Sequence, residues 1–516
     1  MHELIEKSPL NDREIARHVV SSPAEVAEAI ARGRRAFLVW SRESVASRVE
    51  RLRSLRATIV ARLDDVVETI VASTGKPPLD ALTGDVYTVL DGLAYHERHA
   101  CSLLEPQSRP GHVLSPRAEF FVHYEPLGVI GILSPWNYPF QLAMLPLISA
   151  LAAGNTVDLK PSEVTPSNGK LILDLCSAAG FSQDVVQVVL GGPEVGEALV
   201  NSRPDKVFFT GSVSTGKKVM AAAAENLTPL ALELGGKDPM IVFSDAAFQR
   251  AVNGAVYGAF VNAGQACISI ERVYVEAPLY ERFVTAVTTA AAALRVGSGR
   301  DVDLGPMIRS EQCDVVERHV DDALARGARL TTPRRRERNL LWPLVLRDVS
   351  HEMLVMKEET FGPVMPVMPF ATEAEAVALA NDSAYGLNAS VWTENRERAE
   401  RVATGLVTGN CATNDVLKNV ANPHLPFGGE RQRGIGRYHG PEGLLSFCRT
   451  KSIMHHPGSS RTEMNWFPYR PSSYEIVKSS ILAVFGEGSA LSKAGAIAKQ
   501  WLGPSGLWRR RDESGK

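Results

Sequence analysis

The sequence predicts an α/β fold in which helices cross over between the strands of a parallel sheet. Residues 126–235 alternate short apolar runs with helical stretches, an order typical of parallel sheets. Residues 240–440 repeat this alternation, so most of the chain is predicted to be α/β. Residues 22–100 precede it and carry apolar side chains at helical spacing.

The N-terminal helical region begins with residues that are typical of a helix N-terminus. Ser22, Pro23 and Glu25 have the order expected at a helix N-terminus. Residues 48–70 continue the helical spacing and are predicted to place one apolar stripe on a single face. The members of that stripe are Leu52, Leu55, Ile59, Leu63 and Val67.

Strands are predicted where short apolar runs end at turn residues. In residues 126–235 the predicted strands are Val129–Ile132, Thr156–Leu159, Val186–Val189 and Val207–Thr210. Residues 121–124 alternate after a Pro/Gly-rich turn and predict an earlier strand. Farther on, Arg272–Val275 predicts a strand and Phe283–Leu294 an alanine-rich helix. The arginine-rich segment 333–338 is predicted to be a surface loop.

Composition excludes several classes of protein. The chain has 516 residues, enough for two or three domains, and a formal charge of −2, which gives no reason to expect a nucleic acid partner. No apolar run reaches the length of a membrane span, and residues 1–7 lack the apolar core of a secretory signal. Six cysteines stand without close pairing or zinc-binding spacing. We therefore expect a cytoplasmic protein with reduced thiols and no metal site.

Residues 457–516 form a C-terminal extension with two predicted short amphipathic helices. These helices span Tyr474–Phe485 and Leu491–Leu502, and a basic end, Trp508–Arg511, follows. One interpretation is that the extension packs on the protein's own surface or lacks stable structure. The alternative is contact with a membrane surface, because basic and aromatic residues occur together there.

A cysteine and a glutamate carry the most specific chemical signal. Cys267 ends the run Asn-Ala-Gly-Gln-Ala-Cys, and Glu233 precedes Leu-Gly-Gly-Lys. A thiolate that attacks an aldehyde gives an adduct with no good leaving group, so the adduct must expel hydride, for which a nicotinamide ring is the fitting acceptor. Glu233 is the candidate base that activates water to release the acyl group, a role that contributes about 10² to 10⁴ in rate. A buried structural cysteine and a surface carboxylate are the alternatives.

Asn137 is the candidate donor to the oxyanion formed by that attack. A side-chain amide aimed at the developing charge contributes roughly 10² to 10³ in rate. Pro135 and Pro139 flank the Trp-Asn-Tyr run and predict a rigid loop. A turn asparagine is the alternative interpretation.

Together these motifs resemble the active-site signatures of the aldehyde dehydrogenase superfamily over roughly residues 20 to 455. The resemblance implies a Rossmann-type cofactor domain, an α/β catalytic domain and a β-hairpin oligomerisation arm. The implied segments are 1–106 and 126–235 for the cofactor domain, 236–440 for the catalytic domain, and 107–125 and 441–456 for the arm. It also implies a homodimer or homotetramer. Family members that transfer the acyl group to coenzyme A usually lack the glutamate, so Glu233 favours hydrolysis.

The resemblance further implies which residues hold NAD. Lys160 and Glu163 are expected to bind the adenosine ribose, and because a carboxylate repels a 2′-phosphate, Glu163 favours NAD over NADP while leaving NADP possible. Glu359 and Phe361 are expected to hold the nicotinamide ribose. The remaining expected cofactor-binding residues are Ser134, Trp136, Gly192, Gly196, Phe209, Gly211, Ser212 and Gly216.

Two features of the motifs depart from simple patterns. Residues 211–217 also spell the opening of a phosphate-binding loop, but Lys218 stands where a magnesium-binding hydroxyl belongs, so NTP hydrolysis is not favoured. Residues 426–437 match a late Pro-Phe-Gly-Gly…Gly-x-Gly-Arg region of the family. Within it, Arg433 stands where the family has a small residue, commonly serine, which leaves the local packing open.

The substrate is predicted only as a class, an aldehyde. Residues 266–272, 319–322 and 440–445 look most similar to a bacterial succinate-semialdehyde dehydrogenase-like branch. A broad-specificity enzyme for aliphatic and aromatic aldehydes is the alternative. A non-catalytic relative that keeps the fold is a third hypothesis, and the intact cysteine, glutamate and asparagine count against it.

Overall fold

The structure is a computed structural model. It describes residues 3–487, apart from 112–114, 116, 460 and 464, together with residue 495. The chain divides into two compact units. The first consists of the described residues of 1–107 and 122–452, and the second consists of those of 108–121 and 453–516. The predicted cofactor and catalytic segments both belong to the first unit, and the boundary between them stays a prediction.

The N-terminal region is a hairpin followed by helices. The strands are β1 (Glu3–Lys7) and β2 (Glu14–Val19), and the helices are α1 (Pro23–Trp40), α2 (Val45–Ala61), α3 (Leu63–Thr74), α4 (Pro78–Asp80) and α5 (Thr88–Leu104). Helix α1 begins as predicted, since Ser22 and Glu25 form a reciprocal capping box. The continuous pattern predicted over 48–70 is broken at Arg62, where the backbone leaves helical geometry. A π-helical turn, Ala81–Tyr87, joins α4 to α5.

A six-stranded sheet forms the next part of the chain. Two strands of another sheet, β3 (Gln107–Arg109) and β4 (Glu119–Pro126), precede it in the chain. The strands of the six-stranded sheet and the helices that connect them are, in chain order, β5 (Val129–Leu133), α6 (Gln141–Ala153), β6 (Thr156–Lys160), α7 (Pro166–Ala178), β7 (Val186–Val188), α8 (Pro193–Asn201), β8 (Lys206–Thr210), α9 (Val213–Ala224) and β9 (Leu230–Glu233). Strands β5 to β9 are parallel in the order β9-β8-β5-β6-β7, so the four predicted strands are confirmed.

Both faces of this sheet are covered, as crossover connections require. Ile130 and Ile132 belong to one apolar cluster that includes the side chains of α6. Val129 and Leu133 point to the other face, where they belong to a cluster that includes residues of α1 and α8. The period of two along β5 therefore places alternate side chains in two cores.

A seven-stranded sheet follows. Its elements, with a small hairpin, are β10 (Asp238–Val242), α10 (Phe248–Phe260), β11 (Ile270–Glu276), α11 (Tyr280–Ala292), α12 (Ser310–Ala325), β12 (Arg329–Leu330), β13 (Arg336–Glu337), β14 (Leu340–Leu341), β15 (Leu344–Arg347), α13 (Leu354–Lys357), β16 (Val364–Phe370), α14 (Glu373–Asn381), β17 (Ser390–Trp392), α15 (Arg396–Gly405) and β18 (Ala412–Thr413). The order is β12-β15-β16-β11-β10-β17-β18, parallel except for β12. The predicted loop 333–338 is partly a strand, because β13 pairs with β14.

The last described elements are α16 (Lys418–Ala421), β19 (Gly434–Ile435), α17 (Gly440–Leu445), β20 (Cys448–His455) and α18 (Pro471–Phe485). Strand β19 adds to the edge of the six-stranded sheet, antiparallel to β9. Strands β20, β4 and β3 form a third sheet.

Helix α18 contains the first amphipathic helix predicted for the extension. One face, with Tyr474, Ile481, Leu482 and Phe485, is exposed. The second predicted helix, 491–502, and the basic end, 508–511, lie outside the described residues. None of the described helices has the length and apolar character to cross a bilayer. Contact with a membrane surface stays a prediction.

Candidate functional site

The ends of the two sheets bring the glutamate and cysteine motifs together. Glu233 is the last residue of β9, and four residues separate it from the start of β10 at Asp238. Cys267 lies three residues before β11, which pairs in parallel with β10 from Asp238↔Ile270 onward. Because β10 and β11 are neighbours, their amino ends lie side by side, and α10 spans the connection between them. The chain thus folds back over the 34 residues that separate the two motifs.

The position of Gly236 shows how closely the Gly-Gly turn after Glu233 approaches the segment that ends in Cys267. A Cβ atom at this position would lie 2.4 Å from the carbonyl oxygen of Cys267, a distance that no side chain tolerates. The Gly-Gly turn after Glu233 is therefore in direct contact with the backbone of Cys267, and glycine is required there for steric reasons.

A left-handed turn presents Cys267. Asn262 and Ala263 have φ of 53° and 54°, and Gly264 has φ of 72°. Such values are uncommon for residues other than glycine and mark a backbone held by its surroundings. Gln265 holds the turn, since its side chain donates to Asn262 O at 2.8 Å and accepts from Ile308 N–H at 2.8 Å.

The thiol of Cys267 lies in an apolar setting. Its side chain is half-buried and packs against the large apolar cluster of the first unit. Burial raises the pKa of Cys267 to about 11, and the guanidinium of Arg433 opposes that rise. Among the other cysteines, Cys176 and Cys313 are buried, and Cys101 is exposed on the outer side of α5.

Glu233 is also withdrawn from water. It is 3% exposed, and its Oε2 forms no hydrogen bond with any described residue. Burial raises the pKa of Glu233 to about 8, with Arg433 and then Arg437 opposing. Nη2 of Arg433 lies 3.8 Å from Oε2 of Glu233. A carboxyl group with a pKa near neutrality can both accept and return a proton.

Asn137 lies beside the cysteine turn. Its Nδ2 donates to Gln265 O at 3.0 Å, and its own carbonyl oxygen accepts from Asn262 Nδ2 at 3.1 Å. One amide proton is thus used to fix the side chain against the turn that ends in Cys267. Among the described residues, Gln265 O is the one acceptor recorded for this amide group.

A buried ion pair supports the Asn137 loop. Lys76 Nζ donates to Asp85 Oδ2 and to Asn137 O, both at 2.8 Å, and lies 4.1 Å from the centre of the Tyr138 ring. Asp85 Oδ1 accepts from the N–H groups of Phe140 and residue 141, where α6 begins. The pair therefore fixes the loop at Asn137 itself and at its end, where α6 begins.

The expected adenosine-binding residues meet at the carboxyl end of β6. Lys160 Nζ lies 3.1 Å from Glu163 Oε2. Burial would raise the pKa of Glu163, but the charge and hydrogen bond of Lys160, a backbone N–H and the charge of Arg309 together hold the pKa below its usual range. Ser134 follows β5, the neighbouring strand, and its N–H donates to Lys160 O at 3.1 Å. A cation and a carboxylate at one sheet edge are suited to ribose hydroxyls.

The start of α9 lies at the same edge. Gly211 N–H donates to Glu233 O at 2.9 Å, which ties this turn to the end of β9. Ser212 caps α9, accepting from Thr215 N–H at 3.2 Å, and is exposed. Gly216 packs against Leu234. The N–H groups at this helix start suit a pyrophosphate.

The other expected cofactor-binding residues form supporting contacts. Gly192 precedes α8, and its N–H donates to Glu194 at 3.0 Å. Gly196 lies in α8 against Leu133, next to Ser134, and Phe209 is buried in β8. Trp136 contacts the edge of Phe361, with ring centres 5.5 Å apart. Phe361 has φ of 49°, a strained value for an aromatic residue.

Glu359 closes over the Gly-Gly turn. Its Oε1 accepts from Gly236 N–H at 2.9 Å. Burial, followed by the charge of Glu271, raises the pKa of Glu359 to about 7. Glu271 in turn accepts from Lys237 Nζ at 2.5 Å and from the N–H groups of Thr360 and residue 361. The strand ends and the loop around Glu359 thus share one buried network.

The sequence did not identify the partners that hold the site. These residues are Lys76, Asp85, Lys237, Glu271 and Gln265. A charged residue inside an apolar helical pattern, as at Asp85, is the one signal that could have drawn attention to them. Among the described residues, no cluster of three histidine, cysteine, aspartate or glutamate side chains is placed to hold a metal ion.

The family model that matches this chain covers every residue of the candidate site. The model of the "Aldehyde dehydrogenase family" matches residues 2–453. A 4,4'-diapolycopene aldehyde oxidase from Methylomonas sp is 45% identical over 487 residues, covering 94% of this chain and 92% of that protein. A putative succinate-semialdehyde dehydrogenase [NADP(+)] 2 from Mycobacterium ulcerans is 35% identical over 442 residues, covering 84% and 85%.

A solved structure agrees with the fold. Betaine aldehyde dehydrogenase from Staphylococcus aureus in complex with NAD+ has a TM-score of 0.84 and 31% identity, covering 90% of this chain and 94% of that one. The match extends over both parallel sheets, whose ends carry the candidate site.

Proposed function

This chain belongs to the aldehyde dehydrogenase family and is an NAD(P)-dependent aldehyde oxidoreductase, and from that premise we propose that it converts an apolar aldehyde to the carboxylic acid through a thioester on Cys267. The contact between Gly236 and the carbonyl of Cys267 carries this proposal. It supports the proposal because the segment that bears the candidate base touches the segment that bears the candidate nucleophile.

In the proposed first half-reaction, Cys267 Sγ bonds to the aldehyde carbon. The developing oxyanion accepts from the second Nδ2 proton of Asn137 and from the Cys267 N–H. NAD or NADP, held by Lys160, Glu163, Ser134 and the start of α9 together with Glu359, supplies the acceptor for the hydride. Burial raises the pKa of Cys267 to about 11, and the charge of Arg433 favours the thiolate against that rise.

In the proposed second half-reaction, Glu233 takes a proton from water as the water oxygen bonds to the thioester carbon. The carbon–sulfur bond then breaks, the acid leaves and Cys267 is restored. A pKa of about 8 leaves Glu233 partly ionised at neutral pH, so this step is expected to accelerate as the pH rises through that value. Product made in heavy-oxygen water should carry the label, whereas an unlabelled acid would exclude hydrolysis.

An apolar substrate is favoured by two observations. The relative with 45% identity is named for a long polyene aldehyde. In this chain Cys267 packs against an apolar cluster, and the guanidinium that acts on it, Arg433, already faces Glu233. Each further CH₂ of substrate buried on such a surface contributes about 0.8 kcal/mol, roughly fourfold in binding.

Succinate semialdehyde is the second candidate, favoured by the 35% identity with the mycobacterial protein. Its distal carboxylate would need a cation that is not already paired. An aldehyde panel tests the choice: long polyene, long aliphatic, short aliphatic, aromatic and ω-carboxylate aldehydes, each with NAD and NADP. We expect kcat/KM to rise with apolar chain length. A preference for succinate semialdehyde over a long-chain aldehyde would reverse the substrate proposal, and inactivity with every aldehyde would favour a non-catalytic relative.

For assembly, we propose a homodimer or homotetramer that pairs through the arm. Strand β20 is largely exposed along Cys448–His455, and an exposed strand is open to pairing with a partner. Light scattering on the eluting protein checks this, and a monomer at micromolar concentration would contradict it. Cytoplasmic location stays a prediction.

A further inference from the structure

Arg433 is an unusual residue at the centre of this site. It ends a short turn, Arg431–Arg433, and the next residue, Gly434, pairs with Glu233 across β19 and β9. The carbonyl of Arg433 accepts from Leu234 N–H at 2.9 Å. The backbone of Arg433 is therefore fixed to the strand end that carries Glu233.

The side chain of Arg433 is enclosed. It is 1% exposed, and its Nε forms no hydrogen bond with any described residue. A Cβ atom at Gly429 would lie 2.0 Å from Arg433 Cγ, so the chain leaves room for this side chain only by having glycine there. A buried cation without a full set of hydrogen bonds is costly unless an opposite charge compensates it. Glu233 Oε2, at 3.8 Å and itself without a hydrogen bond to any described residue, is that charge.

Several other titratable groups face this guanidinium. They are Asp238 at the start of β10, Glu359, Cys267 and Tyr438, and the charge of Arg433 lowers the pKa of each against the effect of burial. Arg437 adds a second, weaker positive influence on Glu233 but is paired with Glu430 at 2.6 Å. Arg433 thus compensates a cluster of buried acids, of which Glu233 is the one it contacts as an ion pair. The small residue that the family pattern has at this position could supply no charge.

We propose that Arg433 is a positioning residue for the second half-reaction, whose fixed cation favours the ionised form of Glu233 and orients it at the end of β9 until water attacks. The proposal rests on the thioester mechanism above. Glu233 takes the proton from water, the oxygen–carbon bond forms, and the carbon–sulfur bond breaks with its electron pair going to Cys267. Arg433 gains and loses no proton in this step.

The test isolates hydrolysis of the acyl-enzyme. p-Nitrophenyl acetate acylates a reactive thiol without a dinucleotide, so the burst of p-nitrophenolate reports acylation and the following steady phase reports hydrolysis. Both phases are measured from about pH 6 to about pH 10 for the parent enzyme and for Arg433→Met, Arg433→Ser and Arg433→Lys. Arg431→Met is the matched control, because Arg431 lies in the same turn but donates to Asn381 O at 2.6 Å.

We expect Arg433→Met and Arg433→Ser to move the midpoint of the hydrolysis profile upward by at least about one pH unit, which slows hydrolysis at neutral pH about tenfold. Arg433→Lys should retain most of the parent midpoint, and the control should retain all of it. A lower rate at every pH with an unmoved midpoint would reduce Arg433 to a structural role and overturn the proposal.

A double variant covers the case in which the single variants fold poorly. Glu233→Gln with Arg433→Met removes both charges of the pair, which relieves the unpaired buried charge. If Arg433 acts through Glu233, the double variant should hydrolyse the acyl-enzyme as slowly as Glu233→Gln alone. If the double variant instead lost hydrolysis rate by the product of the two single losses, the proposal would be overturned. If the parent enzyme gives no burst, the thioester mechanism itself fails, whereas a burst with an unmoved midpoint rejects Arg433 alone.

Discussion

The pair of Lys76 and Asp85 gives the sharpest test of how the site is held. Both side chains are at most 1% exposed, and the pair touches the catalytic loop at Asn137 O and at the start of α6. Lys76→Met keeps the length of the side chain and removes its charge. Asp85 is then left as a buried carboxylate that has lost its cation but keeps two backbone N–H donors.

The expected loss follows from that geometry. Removing one partner of a buried pair costs about 3–5 kcal/mol because the other charge stays uncompensated. Lys76→Met should therefore lower the free energy of unfolding by about that amount. The loss of the bond to Asn137 O should also displace the proposed oxyanion donor, whose full contribution is roughly 10² to 10³ in kcat.

Adding Asp85→Asn separates stability from catalysis. The amide introduced by this change still offers an oxygen to the two N–H groups and leaves no buried charge, so the double variant should be more stable than Lys76→Met alone. It should not recover kcat, since the hydrogen bond from Lys76 to Asn137 O is still missing and only the one from Asn262 Nδ2 remains. Denaturant unfolding and steady-state NADH formation measure the two effects.

Lys357→Met is the matched control, because Lys357 forms a 2.8 Å pair with Glu352 at the surface, where such pairs contribute about 0–1 kcal/mol. If Lys76→Met were no more destabilising than this control, or if the double variant were the least stable of the set, the pair would not carry the role assigned to it.

Four further variants test separate parts of the site. Cys267→Ala should abolish NADH formation and leave dinucleotide binding intact, as measured by fluorescence titration; any retained turnover rejects the nucleophile. Glu233→Gln should give one burst of NADH per site and then stall, and unchanged steady turnover would refute the base. Glu163→Gln should raise the kcat/KM ratio of NADP to NAD, and an unaltered ratio would count against its role. Asp158 is buried in β6 without a hydrogen-bond partner among the described residues, and burial raises its pKa to about 7. Because a raised carboxyl pKa destabilises the fold as pH rises between the unfolded value near 4 and 7, Asp158→Asn should raise Tm at pH 8 but not at pH 4; an equal gain at both would contradict that reason.

The candidate reacting groups could be proposed from the sequence because each lies in a short local pattern. Cys267 and Glu233 stand in motifs whose glycines are readable without knowing the fold. The partners were not readable in this way. Lys76 and Asp85 lie 61 and 52 residues before Asn137, and only the folded chain brings them to its loop.

Two other differences between the predicted and the observed secondary structure have local physical causes. The break at Arg62 falls inside an apolar stripe that continues on both sides, so periodicity alone could not reveal it. The strand at Arg336–Glu337 is two residues long and charged, and its pairing with Leu340–Leu341 outweighs its composition. Arg433 was recognised as a departure from the family pattern, but its partner depended on the antiparallel pairing of β19 with β9.

The contact at Gly236 constrains how this enzyme can diversify. With 2.4 Å between a hypothetical methyl group and the carbonyl of Cys267, the junction at Gly236 has no spare volume, and any larger residue there must displace the backbone of the proposed nucleophile. Variation that alters which aldehydes are accepted is therefore confined to the walls around this junction. A saturation library at position 236 should return glycine alone, however permissive the selection.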